Sequence, residues 1–160
     1  MKDLYTYIIE ARTLKDLKDK PVNKIEIIGY NYHPQDRKKL ESLVKQLIQE
    51  RGNNADLNDI DTSNVTDMSE LFYKSEFNGD ISQWDVSNVL DMSYMFYGSK
   101  FNNDISNWDM RKVRDMGSMF SFSQFDGDLS KWKVSKVTYM SHMFDGSPLQ
   151  NNPPKWYKKK

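Results

Sequence analysis

The sequence predicts an α/β solenoid of four 24-residue repeats, each a strand plus a short helix, behind an N-terminal α/β cap. Two observations support this fold class. A block starting with Asp-Leu or Asp-Ile recurs at positions 56, 80, 104 and 128, without insertion or deletion. The chain's four tryptophans follow the same spacing. We therefore expect a cap over residues 1–51, repeats over residues 52–157 and a basic tail over residues 158–160.

The order of residues inside a repeat predicts its two elements. Val89, Met92, Met95 and Phe96 stand at i, i+3, i+6 and i+7, which is one face of a short helix. The segment 101–108 is short and rich in β-forming residues, and it predicts one strand. A strand plus a helical turn in roughly 20–29 residues is the leucine-rich-repeat arrangement. The aromatic positions should form its core, including Trp84, Trp108, Trp132 and Trp156.

Both ends of the repeats carry signals for capping, which a stack of repeats needs because terminal repeats otherwise expose apolar surface. Leu40, Val44 and Leu47 lie on one face of a predicted helix over residues 35–51, with a glycine directly after it. Residues 4–9 predict a further short helix, and residues 24–30 a strand. At the other end, Pro153 and Pro154 lack the N–H groups that further pairing would require.

Composition excludes several functional classes. Lys plus Arg equals Asp plus Glu at 23 each, so the basic excess typical of nucleic-acid binders is missing. The absence of cysteine excludes disulfides and thiolate metal sites. No stretch reaches the roughly 20 apolar residues of a membrane span, and the N-terminus has no secretory apolar region. We expect a monomer in the cytoplasm of a bacterial host, without membrane or nucleic-acid partner.

Catalytic and metal sites find little support. His33 and His142 are far apart in sequence and have no partnered nucleophile. The recurring aspartates suggest calcium, with 126–128 the best candidate, but calcium needs about six to eight oxygen ligands around one turn. Aspartates at such positions more often accept hydrogen bonds from turn amides. We expect no enzyme activity, no cofactor and no metal.

Repeat proteins bind partners through positions that vary while the scaffold repeats, and three such sets stand out. Two rows run from acidic to basic along the array, and a third set is aromatic, where Phe122 is the strongest candidate because exposed aromatics are enriched in binding hot spots. The first row contains Asp59, Gln83, Asn107 and Lys131, the second contains Asp61, Asp85, Asp109 and Lys133, and the aromatic set contains Tyr94, Tyr97, Phe122 and Tyr139.

Residues 77–109, FNGDISQWDVSNVLDMSYMFYGSKFNNDISNWD, resemble the BspA-type leucine-rich repeat of bacterial surface proteins and mycoplasma lipoproteins. The motifs DIS-x-W and V-x-x-M-x-x-MF carry this resemblance, which covers roughly residues 52–157. It implies a non-catalytic solenoid that binds proteins or surfaces. The sequence departs from the pattern at residues 110–112, where Met-Arg-Lys replaces Val-Ser-Asn. The leading hypothesis is therefore a protein-protein interaction module.

Residues 1–11, MKDLYTYIIEA, resemble the leader of internal head proteins of T-even-type bacteriophages. That resemblance implies a single cleavage after the segment Ile8-Ile9-Glu10, between Glu10 and Ala11, so that the mature chain starts at Ala11. The alternative hypothesis is a phage-encoded protein that is packaged in the phage particle, or that binds and blocks a host defence factor.

Overall fold

The computed structural model describes residues 29–158. Within that range the regular elements are one α-helix, α1, at Arg37–Arg51, and two 3₁₀ helices at Met110–Lys112 and Pro148–Gln150. Parallel bridges occur only in isolation, for example Asp67 with Asp91, and no strand forms in the described part of the chain. The predicted α/β leucine-rich-repeat solenoid of strand-plus-helix repeats is therefore wrong. The chain is mostly coil, organised by its 24-residue period.

The backbone hydrogen bonds explain why neither predicted element forms. In the segment read as a helix, Met95 N–H donates to Met92 C=O at 3.2 Å, which closes a tight turn. The next donor, Phe96 N–H, leaves the segment and reaches Met119 C=O at 2.9 Å. Donors thus alternate between their own repeat and the following one. An α-helix needs every N–H to bond four residues back, so this pattern excludes it.

Left-handed backbone conformations enforce this alternation. Each repeat places a residue with positive φ at the first of two turn positions, and in the second repeat this is Tyr94, with φ of 55°. Such a residue interrupts both helical and extended backbone. No repeat has glycine at this first position, so a search for glycine does not predict its left-handed backbone. The residues with positive φ at this first turn position are Glu70, Tyr94, Ser118 and His142.

The segment read as a strand fails for a different reason. Ser106 N–H bonds to the Asp104 carboxylate at 2.8 Å, and Asn102 N–H bonds to the Asn78 side chain at 2.8 Å. Side chains thus satisfy donors that a strand would offer to a neighbouring strand. Asp and Asn side chains compete with ladder hydrogen bonds in this way.

The core consists of aromatic columns that repeat with the sequence. Phe72, Phe96 and Phe120 stack with ring centroids 5.5 Å apart and interplanar angles of 1° and 5°. The tryptophans behave alike: Trp84 Nε1–H donates to Leu57 C=O at 2.9 Å. The other three donate to the carbonyl 27 residues before them, which confirms the predicted tryptophan register. These remaining bonds join Trp108 to Ile81, Trp132 to Ile105 and Trp156 to Leu129.

Helix α1 covers the first repeat, as predicted. The Asp36 carboxylate caps its start by accepting Lys39 N–H at 2.9 Å, and Gly52, with φ of 88°, ends it. Leu40 and Leu47 on its apolar face are fully buried. The predicted helix at residues 4–9 lies outside the described residues, as does most of the predicted strand at 24–30.

The C-terminal segment closes part of the other end. Trp156 stacks on Trp132 with centroids 6.2 Å apart, and Tyr157 meets Phe144 edge-on at 5.0 Å. Pro153 and Pro154 precede this pair, so the backbone here offers no N–H at two successive positions.

Candidate partner-binding surface

Aromatic side chains form a continuous strip, here called the aromatic ridge and defined by the exposed Tyr73, Tyr94 and Phe122 together with the half-buried Tyr97. Tyr97 is its centre: the ring stacks on Tyr73 at 5.1 Å, tilts against Tyr94 at 5.8 Å and meets Phe122 edge-on at 5.5 Å. The Lys74 ammonium lies 5.3 Å from the Tyr73 ring centroid, which is a cation–π distance. The structure thus brings together three of the four aromatic candidates.

Phe122 is the most exposed large apolar side chain of the described residues, at 62%. Its φ is 56°, whereas the equivalent positions one repeat before and after are Gly98 and Gly146. A left-handed conformation costs a non-glycine residue roughly 1–2 kcal/mol. The ring lies over Gly146, where an added Cβ would stand 2.4 Å from Phe122 Cδ1. Gly146, one repeat after Phe122, therefore leaves the space that the Phe122 ring occupies.

Tyr139, the fourth aromatic candidate, lies apart from the ridge. It packs over Gly117, where an added Cβ would come within 2.6 Å of Tyr139 Cε1. Together with its neighbours Val137 and Met140, Tyr139 lines a cavity in the last repeat.

The acidic starts of the two polar rows are tied to the cap. Asp59 accepts two hydrogen bonds from the Arg51 guanidinium at 3.0 Å each and one from Asn31 at 2.9 Å. Burial raises the pKa of Asp59, but these bonds outweigh it and the pKa lies below its ordinary value. Asp61 pairs with His33 at 3.1 Å. Both carboxylates thus hold residues 31–33 against the first repeat.

The next two acidic candidates serve turns. Asp85 accepts Ser87 N–H at 2.9 Å. Asp109 binds the Arg111 side chain at 2.7 and 2.6 Å, and this pairing lowers the pKa of its carboxyl to about 2. A carboxylate held by its own neighbour is less available to a partner.

The remaining polar candidates are exposed but do not form one site. Gln83 lies beside Asp59 in an open groove of about 550 Å³, and its N–H bonds to the Asn58 side chain at 2.8 Å. Lys131 is near enough to Asp104 to lower the pKa of that carboxyl, after the larger effect of hydrogen bonds from Ser106. Asn107 and Lys133 are exposed as well.

The recurring aspartates proposed as calcium ligands instead cap turns. Asp80, Asp104 and Asp128 each accept the N–H two residues ahead, at 2.8 Å. This confirms the turn interpretation. The part of the chain between residues 29 and 158 contains no group of three or more His, Asp or Glu residues that could hold a metal ion.

The histidines also have local partners. His142 Nδ1 lies 2.7 Å from the Asp145 carboxylate, and His33 faces Asp61. Sequence reasoning missed Tyr73, whose equivalents are Tyr97, Ser121 and Asp145. Only the Tyr73 and Tyr97 pair, one repeat apart, could have indicated a stacked surface. The proposed cleavage residues Ile8, Glu10 and Ala11 lie outside the described residues.

This geometry defines a class of protein with 24-residue repeats joined by backbone hydrogen bonds and stacked aromatic rings. The sequence profile described as "Mycoplasma protein of unknown function, DUF285" matches residues 38–156. The chain belongs to this family. No curated protein matches it, and no solved structure matches it. Among residues 29–158 no helix combines the length and apolar character needed to cross a membrane.

Proposed function

We propose that this chain is a non-catalytic protein-protein interaction module that binds its partner through the aromatic ridge. Phe122 supports this most directly. A phenylalanine that is 62% exposed gains little from burial, yet it holds a left-handed conformation that glycine adopts in the neighbouring repeats. Strained residues on a surface often mark a binding function. Aromatic clusters are also the usual anchors of protein interfaces.

Two further observations support the proposal. The resemblance of residues 77–109 to BspA-type repeats implies binding to proteins or surfaces. The ridge is also prepared for contact, because its rings already pack on one another and so have little rotamer freedom left to lose on binding. Tyr73 and Tyr94 are each 43% exposed, so both are accessible to a partner.

Quantitative affinity capture with Phe122→Asn tests this function. Asparagine tolerates the left-handed conformation, so the fold should remain while the aromatic anchor is lost. Partners captured by the wild-type chain from its host lysate should fall by on the order of tenfold, as expected for an anchor worth about 1.4 kcal/mol. Ser118→Asn is the matched control, since Ser118 has φ of 52° and lies outside the ridge. If both variants captured equal amounts of partner, the aromatic ridge would not be the binding surface.

A second candidate function rests on residues 1–11. We propose that a chain with this leader could be packaged in a phage particle or could block a host defence factor, since Ile8-Ile9-Glu10 followed by Ala11 fits the cleavage pattern of internal head proteins. Mass spectrometry of purified virions provides the test. A mature chain beginning at Ala11 supports packaging, and particles that lack the chain refute it.

A further inference from the structure

The backbone pairing between repeats stops at the last one and leaves donors open. In the third repeat, Met116 and Ser118 N–H each donate to a carbonyl of the last repeat at 2.9 Å. The equivalent donors of the last repeat are Met140 and His142 N–H. Neither has an acceptor within hydrogen-bonding distance among residues 29–158. We call residues 138–142 the last-repeat edge.

Two more groups of this edge are open. Thr138 N–H donates to Arg114 C=O at 2.9 Å, but Thr138 C=O itself receives no donor from the described residues. In the repeat before, Asp115 accepts the N–H two residues ahead at 2.8 Å. Tyr139 stands at the equivalent position and cannot accept through its ring, so Ser141 N–H is a third open donor in the described part of the chain.

Next to the edge, Phe144 N–H, equivalent to the Phe120 N–H that donates to Met143 C=O, also lacks an acceptor among the described residues, but its ring is covered. Phe144 lies against Trp156 at 6.4 Å and Tyr157 at 5.0 Å. Gly146 N–H donates to the Gln150 side chain. The C-terminal segment thus closes the aromatic core, but residues 151–158 make no hydrogen bond to the last-repeat edge.

A cavity of about 310 Å³ lies directly beside this edge. Its apolar lining comes from Val137, Tyr139, Met140 and Trp156, and Lys158 stands at its rim. A segment that pairs with the edge would therefore find a site for a large apolar side chain. Alternation of backbone pairing with a side-chain pocket is how extended peptides are recognised.

The charge around the edge favours an acidic occupant. Between residues 129 and 158 there is one acidic residue, Asp145, and it faces His142. Arg114, beside Thr138, is exposed, while Asp115 is engaged by Gly117 N–H. Lys158 lines the cavity beside the edge and adds a second basic group there.

A second copy of this chain fits the edge poorly. Two such edges facing each other would oppose mostly N–H donors. Head-to-tail stacking would need the first repeat's carbonyls, but Arg37 Nε already donates to Ser69 C=O at 2.8 Å. Helix α1 covers that repeat and carries five basic residues against two acidic ones, which a basic edge would repel.

We infer that the last-repeat edge binds an extended acidic segment of a different protein. Its main-chain carbonyls accept from Met140 and His142 N–H, one of its N–H groups donates to Thr138 C=O, and one large apolar side chain enters the cavity. This surface is separate from the aromatic ridge, so the inference goes beyond the proposed function and does not depend on it.

Two synthetic peptides that copy residues 89–100 are suitable probes, because this segment supplies the carbonyls that pair with the first repeat. One carries K100E and is acidic, whereas the other carries D91K and is basic, with the same apolar residues. Amide exchange in the full chain, followed by NMR, should slow at Met140 and His142 when the acidic peptide is added. The basic peptide should bind at least about tenfold more weakly, and salt should reduce this difference.

Two variants separate this surface from the ridge. Met140→Glu should weaken binding of the acidic peptide by on the order of tenfold, because it removes apolar lining from the cavity and repels the acidic charge. Tyr94→Glu, which places the same charge on the ridge, should leave that binding unchanged. If Met140→Glu loses the folded circular dichroism spectrum, Tyr139→Ser replaces it. Absence of protection at about 1 mM peptide, or protection confined to the ridge, overturns the inference. Protection that appears without peptide, together with a doubled mass, assigns the edge to a second copy and also overturns it.

Discussion

Replacing Trp108 with alanine should lower the free energy of unfolding by about 3–5 kcal/mol. Trp108 is only 4% exposed, its ring centroid lies 6.3 Å from that of Phe96, and its Nε1–H bonds to Ile81 C=O at 3.3 Å. A buried indole hides roughly 150–250 Å², worth roughly 4–6 kcal/mol at about 25 cal/mol per Å². Partial collapse of the cavity recovers some of this.

Urea unfolding followed by far-ultraviolet circular dichroism measures the loss. With a denaturant slope of about 2 kcal/mol per M, the midpoint should fall by roughly 2 M. Trp156→Ala is the matched control: this ring is half-buried and ends the column, so its loss should cost clearly less. An unchanged midpoint for Trp108→Ala, or an equal loss for both variants, would contradict the stacking argument.

Three further substitutions test single contacts. Asp36→Ala should destabilise the fold by about 0.5–2 kcal/mol in urea unfolding, since it removes the cap of α1. Gly79→Ala should lower the melting temperature, because its Cβ would stand 2.0 Å from Ala55 C=O; an unchanged value would contradict that close approach. Arg111→Ala should raise the pKa of Asp109 from about 2 toward 3.8, as an NMR titration will show. The lowered pKa stabilises the fold above pH 3.8 and loses this effect as the pH falls toward 2, so the variant should be less sensitive to acid.

The sequence predicted which side chains are buried far better than which backbone structure buries them. The period placed Trp108 and Phe120 in the core, and both are there. The same apolar spacing suggested a helix, since Val89, Met92 and Phe96 would share one helical face. The spacing of apolar residues shows which side chains face the core, but it does not show which acceptor each backbone N–H binds. A chain of turns with left-handed residues gives the same spacing without a helix.

The candidate site was predictable where a repeat departs from its own pattern. Phe122 stands where the repeats on either side have glycine and the first repeat has Lys74, which the sequence shows directly, and its ring is exposed. Asp59 and Asp61 were also variable positions, but their partners come from the cap, which does not repeat. No comparison between repeats could therefore have predicted that these carboxylates are engaged.

The departures from the repeat also fall close together, and each has a physical consequence. Gly117 replaces a serine and makes room for the Tyr139 ring. Tyr139 replaces an aspartate and thereby leaves a turn amide open. Phe122 replaces a glycine at a left-handed position and becomes exposed. None of these changes improves the burial or the hydrogen bonding of the stack. Substitutions that do not serve the fold are those expected to serve binding, so residues 117–142 are where partners should be sought first.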